Sequence, residues 1–353
     1  MNMNLCLPIN QLGYGIVGTN LAVEIRKIIK NVCIWPIGPI EGNDDHFNFL
    51  SGSVANAGIF DKYATSYKLF HADQLIMHPS RGKWMGSTFF ELDKLTVREV
   101  CFLNSLDVIF SFGEWSKRTM IENGVNAKIV NVGVGVDKRF FYPREEQVKD
   151  KTVFINCGKW EKRKGHDILI EAFLSAFNEE DQVELWMMNS NVFLSEEESL
   201  KWTKLYKDHP LSNKVKIVKR VPSQKEVADV FARVDCGVFP SRAEGWNLEC
   251  MELMAMGKNI IATNCTAHTE YCTSENSMLV EVPEKEPAID NKWFHGNGNW
   301  HKIGEKEIGM FSEYMREFHK KKMEGKNLIN VGGIISASEF SYEKTAKIIC
   351  EYA

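Results

Sequence analysis

The sequence predicts an α/β protein made of two doubly wound halves, and three observations carry that expectation. Strand-like apolar runs alternate with helical periodicities along most of the chain. A charged, proline-bearing stretch at 142–151 interrupts the alternation with no apolar period. The same grammar then restarts. The 353 residues are 44% hydrophobic and 25% charged, the composition of a globular chain with material for two domains. Disordered, collagen-like and coiled-coil classes are excluded.

Each element follows from its local pattern. Residues 4–8 read as a buried strand, 13–18 as a glycine-rich turn, and 19–29 as a helix through Leu21, Ile25, Ile28 and Ile29. Residues 32–37 form a second strand, 94–103 a helical stretch, and 106–110 and 125–136 further strands. Past the linker, strands are expected at 152–157, 183–188, 215–218, 236–239 and 260–262. Helices fall between them at 166–177, 225–233 and 248–256. The tail differs: Ile303, Ile308, Phe311, Tyr314, Met315 and Phe318 mark one amphipathic helix, and 340–352 a second.

A net charge of −4 and a pI near 6.2 give no global basic field for nucleic acid or anionic membrane. The start of the chain lacks the basic region and apolar core of a signal peptide. The longest apolar runs are strand-length, below the roughly 18 residues of a spanning helix. The nine cysteines are scattered, mostly within apolar runs, with no Cys-x-x-Cys pair. Buried reduced thiols and a cytoplasmic location are therefore expected.

Three segments carry chemistry. Gly13-x-Gly15-x-x-Gly18 matches the dinucleotide-binding expression, yet residues 8–12 intervene after the strand, and no acidic residue ends the second strand before Glu41. A NAD site, a loop letting some ligand approach backbone N–H groups, and a purely structural turn all remain open. The second segment, Gly158-Lys159-Trp-Glu-Lys-Arg-Lys164-Gly165, places four cations within six residues where a strand ends and a helix begins. Such a turn favours an anion, a diphosphate for example, and a solvated basic turn is the alternative. The third is Pro240-Ser-Arg-Ala-Glu244-Gly-Trp-Asn-Leu-Glu-Cys-Met-Glu252, a strand-to-helix turn whose first N–H groups lack helical partners. Glu252 falls on a face with Leu248, Ala255 and Met256, so its carboxylate needs donors: ribose hydroxyls, or a structural Arg or Lys.

Glu244-(seven residues)-Glu252 with Ala255-x-Gly257 resembles the E-x7-E signature of retaining GT-B glycosyltransferases, family 4. Gly158 to Ile170 resembles that family's phosphate-binding segment. Val134-Gly-Val-Asp137-x-x-Phe140-x-x-Pro143 is similar to the close of its first domain, and Phe340-Ser-Tyr-Glu343 to the start of its last helix. The resemblance implies two Rossmann-like domains facing a cleft: an acceptor-side domain at 1–143, on which 340–353 packs back, and a nucleotide-sugar domain at 144–339. It implies sugar transfer, with retention of configuration, from a UDP- or GDP-linked donor to a glycan, lipid, protein or other hydroxyl acceptor. Glu252 would hold the ribose, Glu244 the sugar hydroxyls, and Gly245, Trp246, Asn247 and Leu248 would offer N–H groups to sugar or phosphate. Lys164 would hold the diphosphate, with Lys159 beside it where the family most often has arginine, and Gly13 and Gly15 would approach from the other domain. Glu91 stands where some members have a glutamate; His71 and His78 align with no family histidine. No cofactor and no metal are expected, since the chain lacks an Asp-x-Asp motif. No membrane span is expected either, which leaves peripheral membrane contact open.

Two rivals remain at this stage. One is a NAD-dependent oxidoreductase using Gly13–Gly18, the other a non-catalytic nucleotide-sugar-binding module. Residues 293–300, aromatic and glycine-rich, read as a surface loop, with stacking on a sugar as the alternative.

Overall fold

A computed structural model describes residues 2–41, 45–144 and 150–353. The centre of the 142–151 linker lies outside the described residues. The chain divides into two compact units, Met1–Asp137 with Phe340–Ala353, and Lys138–Glu339.

In the first unit, β1 (Asn2–Leu7), α1 (Gly13–Ile28), β2 (Asn31–Pro36), α2 (Asp45–Leu50), β3 (Thr65–Leu69), β4 (Trp84–Ser87), α3 (Val97–Leu103), β5 (Val108–Phe112), α4 (Glu114–Glu122) and β6 (Lys128–Val132) follow in order. Among the described residues they form one six-stranded parallel sheet, order β2-β1-β3-β4-β5-β6. Its inner strands β1, β3, β4 and β5 are buried on both faces, as parallel strands covered by helices must be.

The second unit runs β7 (Thr152–Gly158), α5 (His166–Ala176), β8 (Val183–Asn189), α6 (Glu196–Lys207), β9 (Val215–Ile217), α7 (Gln224–Ala232), β10 (Cys236–Phe239), α8 (Leu248–Ala255), β11 (Asn259–Thr263), β12 (Met278–Val280), β13 (Lys285–Ile289), β14 (His295–His301), α9 (Glu305–Met323) and α10 (Val331–Glu339). Its sheet order, β12-β11-β10-β7-β8-β9, is the doubly wound 3-2-1-4-5-6 arrangement read from the far edge. The last helix, α11 (Tyr342–Glu351), returns to the first unit and packs on α1. There the Thr345 hydroxyl donates to the Gly133 carbonyl at 2.7 Å.

Strand order fixes where ligands can sit. In open parallel sheets the crevice opens at the carboxyl ends of the strands, where the winding reverses. That point lies between β1 and β3 in the first unit and between β7 and β10 in the second.

Two elements differ from the sequence expectation. The glycine-rich segment 13–18 is the first turns of α1 rather than a loop ahead of it. A Cβ on Gly15 would stand 2.1 Å from the Asn10 side chain, and one on Gly18 would stand 2.3 Å from the Pro8 carbonyl oxygen. These glycines let helix and strand approach. Residues 293–300 are no plain loop either. Most belong to β14, which pairs antiparallel with β13, and Asp290 closes the hairpin by accepting N–H bonds from Lys292, Trp293 and Phe294 at 2.9, 2.8 and 2.8 Å. All nine cysteines are free thiols, and most are buried.

Candidate functional site

The second unit's switch point brings together the loop after β7 and the loop after β10. The β7–α5 loop is held from beneath. The His166 ring Nε2 bonds the Lys159 carbonyl at 2.8 Å, and Tyr206 donates its hydroxyl to the His166 carbonyl at 2.6 Å. Trp160 and Trp202 stack beside that ring, with centroids 5.9 Å apart. Gly165 turns the chain into α5 at φ +70° and lies so close to the Pro240 carbonyl that a Cβ would stand 1.9 Å away. Arg242 completes the junction, giving a bidentate pair to Asp167 at 2.9 and 2.7 Å.

At this junction the predicted Lys164 and Glu244 meet. Lys164 Nζ stands 2.8 Å from Glu244 Oε1, and the Ser241 hydroxyl donates to the same oxygen at 2.7 Å. Arg163 reaches the other oxygen at 2.8 Å and also pairs with Glu161 at 2.9 Å. Glu244, Arg163 and Lys164 are all buried. Burial alone would raise the Glu244 carboxyl, but Lys164 and then Arg163 outweigh it and hold the group well below the usual carboxylate range. Burial likewise opposes the Lys164 charge, and Glu244 and Glu249 more than restore it. The cluster is an ionised, preorganised set of charges.

Glu252, buried on α8, lies on the same side of the junction as Glu249. Burial pushes the Cys157 thiol up, and the two carboxylates push it further. Glu249 Oε1 and the Lys164 side chain both flank Gly158. Residues 245–247 form the turn into α8, and Asn247 is its N-cap in the left-handed region at φ +73°. Lys159, expected beside Lys164, lies at the outer side of the loop. Its ammonium lies 3.8 Å from Glu161 and over the Phe193 ring at 5.4 Å, at the rim of the loop.

The sequence reading did not single out Arg163, His268 or Tyr271. Arg163 was visible as one of four clustered cations, but its inward direction is set by the turn. His268 and Tyr271 follow β11, where nothing in the sequence marks them.

In the first unit, Gly13, Tyr14, His71 and Glu91 gather near the switch point between β1 and β3. Tyr14 packs against His71 and Phe89 at centroid distances of 4.9 and 5.1 Å, and its hydroxyl donates to the Phe89 carbonyl at 3.0 Å. Burial raises the Tyr14 hydroxyl, and the Glu91 charge adds to the rise. His78 stands apart, bonded to the Ser66 hydroxyl at 2.6 Å and stacked on Trp84. Among the described residues no group of three His, Cys, Asp or Glu side chains could hold a metal ion. None of the helices described is long and apolar enough to cross a membrane.

Residues 151–291 match the family model described as glycosyl transferases group 1. A comparison with curated protein sequences finds no match. The fold is that of GT-B glycosyltransferase structures. Sucrose-phosphate synthase from Thermosynechococcus elongatus superposes with a TM-score of 0.73 at 13% identity, covering 100% of this chain and 98% of that one. HepE of Anabaena, solved with UDP and glucose, gives 0.72 at 14% identity over 100% and 99%. TarM of S. aureus, solved with UDP among its ligands, gives 0.59 at 10% identity over 86% and 57%.

Proposed function

Because residues 151–291 form a glycosyl transferases group 1 domain, we propose that this chain is a retaining glycosyltransferase. It would take a sugar from a UDP- or GDP-linked donor, without a metal, and pass it to a hydroxyl acceptor. The observation that carries this reading is the buried Lys164–Glu244–Arg163 cluster at the switch point of a 3-2-1-4-5-6 sheet.

The reaction breaks the bond between the anomeric carbon and the diphosphate oxygen, leaving negative charge on the diphosphate. Fixed positive charge and helix N-terminal N–H groups stabilise such charge without reorganising. Lys164 and the residue 245–248 turn would meet the departing diphosphate. Glu252 would hold the ribose, accepting charge-assisted hydrogen bonds worth roughly 1.5–3 kcal/mol each.

Glu244 has a more particular part. Its Oε1 already accepts from Ser241 and Lys164, and its Oε2 from Arg163. A carboxylate oxygen takes about two donors, so Oε2 keeps one place for a sugar hydroxyl. Glu244 therefore aims Lys164 first and reads sugar second. The acceptor would bind the first unit, at the Tyr14, His71 and Glu91 cluster.

A thermal-shift panel of nucleoside diphosphates, nucleotide sugars and NADH, with EDTA present, tests the reading. Ligand at about 100 times Kd stabilises by about 2.7 kcal/mol. We expect a shift with UDP or GDP compounds that Glu252→Ala removes. A shift with NADH alone would overturn the assignment.

A further inference from the structure

One buried side chain is not used by that mechanism, yet it fixes the turn on which the mechanism rests. Asn247 holds φ +73°, a left-handed conformation that asparagine tolerates better than other residues with a Cβ and that its partners fix here. Its side-chain oxygen accepts the Cys250 N–H at 3.3 Å, which caps α8. Its side-chain nitrogen stands 2.9 Å from His268 Nε2. The other ring nitrogen, Nδ1, lies 3.0 Å from the Thr263 carbonyl oxygen.

A carbonyl can only accept, so Nδ1 carries the proton. Nε2 must then be the lone-pair nitrogen that accepts from Asn247. The chain of bonds is fully determined: Thr263 carbonyl, His268 ring, Asn247 amide, Cys250 N–H. Tyr271 closes the turn from the other side, with its hydroxyl 2.6 Å from the Trp246 carbonyl and 3.2 Å from that of Asn247. His268 and Asn247 are both buried, so bulk solvent does not reach either bond.

We propose that His268 is the positioning residue of the phosphate-binding turn: its neutral ring holds Asn247 in the left-handed conformation from which α8 starts, and a nucleoside diphosphate binds fully only while that bond is made. The inference rests on the functional reading above. A proton on Nε2 would set two N–H groups against each other. Turning the Asn247 amide over would relieve that clash only by giving up the Cys250 cap. The charged groups facing the ring are Glu244 from the β10–α8 turn and Lys164 and Arg163 from the β7–α5 loop; Tyr271 flanks it with centroids 6.3 Å apart. Burial favours the neutral ring, Glu244 opposes that, and the net direction is down from the ordinary histidine value.

Calorimetry of UDP and GDP binding tests the proposal. His268→Phe keeps an aromatic ring and removes the acceptor, and it should weaken binding roughly tenfold, the loss expected when a buried donor loses its partner. His268→Gln can place a carbonyl oxygen near Nε2 and should recover most of that loss. Asn247→Gly keeps the left-handed turn but discards the side chain through which His268 acts. Adding His268→Phe to Asn247→Gly should then cost less than about twofold. Wild-type binding should fall on acidification more steeply than that of His268→Gln, which has no ring to protonate. Losses that add in the double variant, or identical acid limbs in wild type and His268→Gln, overturn the inference alone. Absence of UDP and GDP binding by the wild type overturns the functional reading and the inference with it.

Discussion

Glu244 serves two cations, and that asymmetry sets what each substitution at the cluster costs. Lys164→Ala leaves Glu244 with Arg163 and the Ser241 hydroxyl. Glu244→Ala leaves Lys164 buried without the carboxylate 2.8 Å away and strips Arg163 of one of its two carboxylates. Breaking a buried pair so that a charge is stranded costs about 3–5 kcal/mol. We therefore expect Glu244→Ala to lower the urea midpoint far more than Lys164→Ala. Lys164→Ala should instead reduce kcat/KM about 30–1,000-fold, equivalent to roughly 2–4 kcal/mol of transition-state stabilisation. Equal midpoints for the two variants would show that the cluster carries no stranded charge. Unchanged kcat/KM in Lys164→Ala would remove that residue from the reaction.

At the scale of elements, two glycines at helix starts have opposite duties. A Cβ on Gly13 meets nothing within 4 Å, whereas one on Gly165 meets the Pro240 carbonyl at 1.9 Å from a left-handed backbone. Gly165→Ala should push the β7–α5 and β10–α8 loops apart, lower the melting temperature and abolish UDP or GDP binding. Gly13→Ala should leave folding unchanged and even firm the first turn of α1, since alanine is the better helix former. Circular dichroism melts of both variants check this, and a stable, nucleotide-binding Gly165→Ala chain would contradict the close approach. The contrast also shows what the sequence made legible. Strands β7, β10 and β11 and helix α8 were readable within a residue or two because apolar-rich stretches with the right period end at Gly, Pro or polar turns. Strands β3 and β4 were not, since Lys68 and Gly86 break their apolar pattern, and α10 was hidden by Gly332 and Gly333. The turn in front of α1 was misread because glycine signals a turn locally, while its reason here is the close approach of Asn10 and Pro8. Four neighbouring cations look alike in a sequence. Only the fold buries Arg163 and Lys164 while leaving Lys162 exposed and Lys159 at the rim.

For the molecule as a whole, acid should act on both units through histidines held neutral. Burial, reinforced by Lys68, brings His78 in the first unit down to about 4, and burial brings His166 in the second down to about 4, against an ordinary value of 6.5. Unfolding returns each ring to that ordinary value. Between about 4 and 6.5 the unfolded chain therefore binds more protons than the folded one, and stability rises with pH across that window. It is complete above 6.5 and lost progressively as pH falls towards 4. Glu244 acts in the same direction but lower down, because its folded carboxyl lies below the ordinary 4.5 and its contribution is lost only as pH drops further. Urea midpoints at pH 7, 6 and 5 should thus decline while the Glu244 carboxylate is still ionised. His166→Gln should flatten that decline for the second unit, with His78 still acting on the first. A midpoint constant from pH 7 to pH 4.5 would mean that neither ring is buried as described.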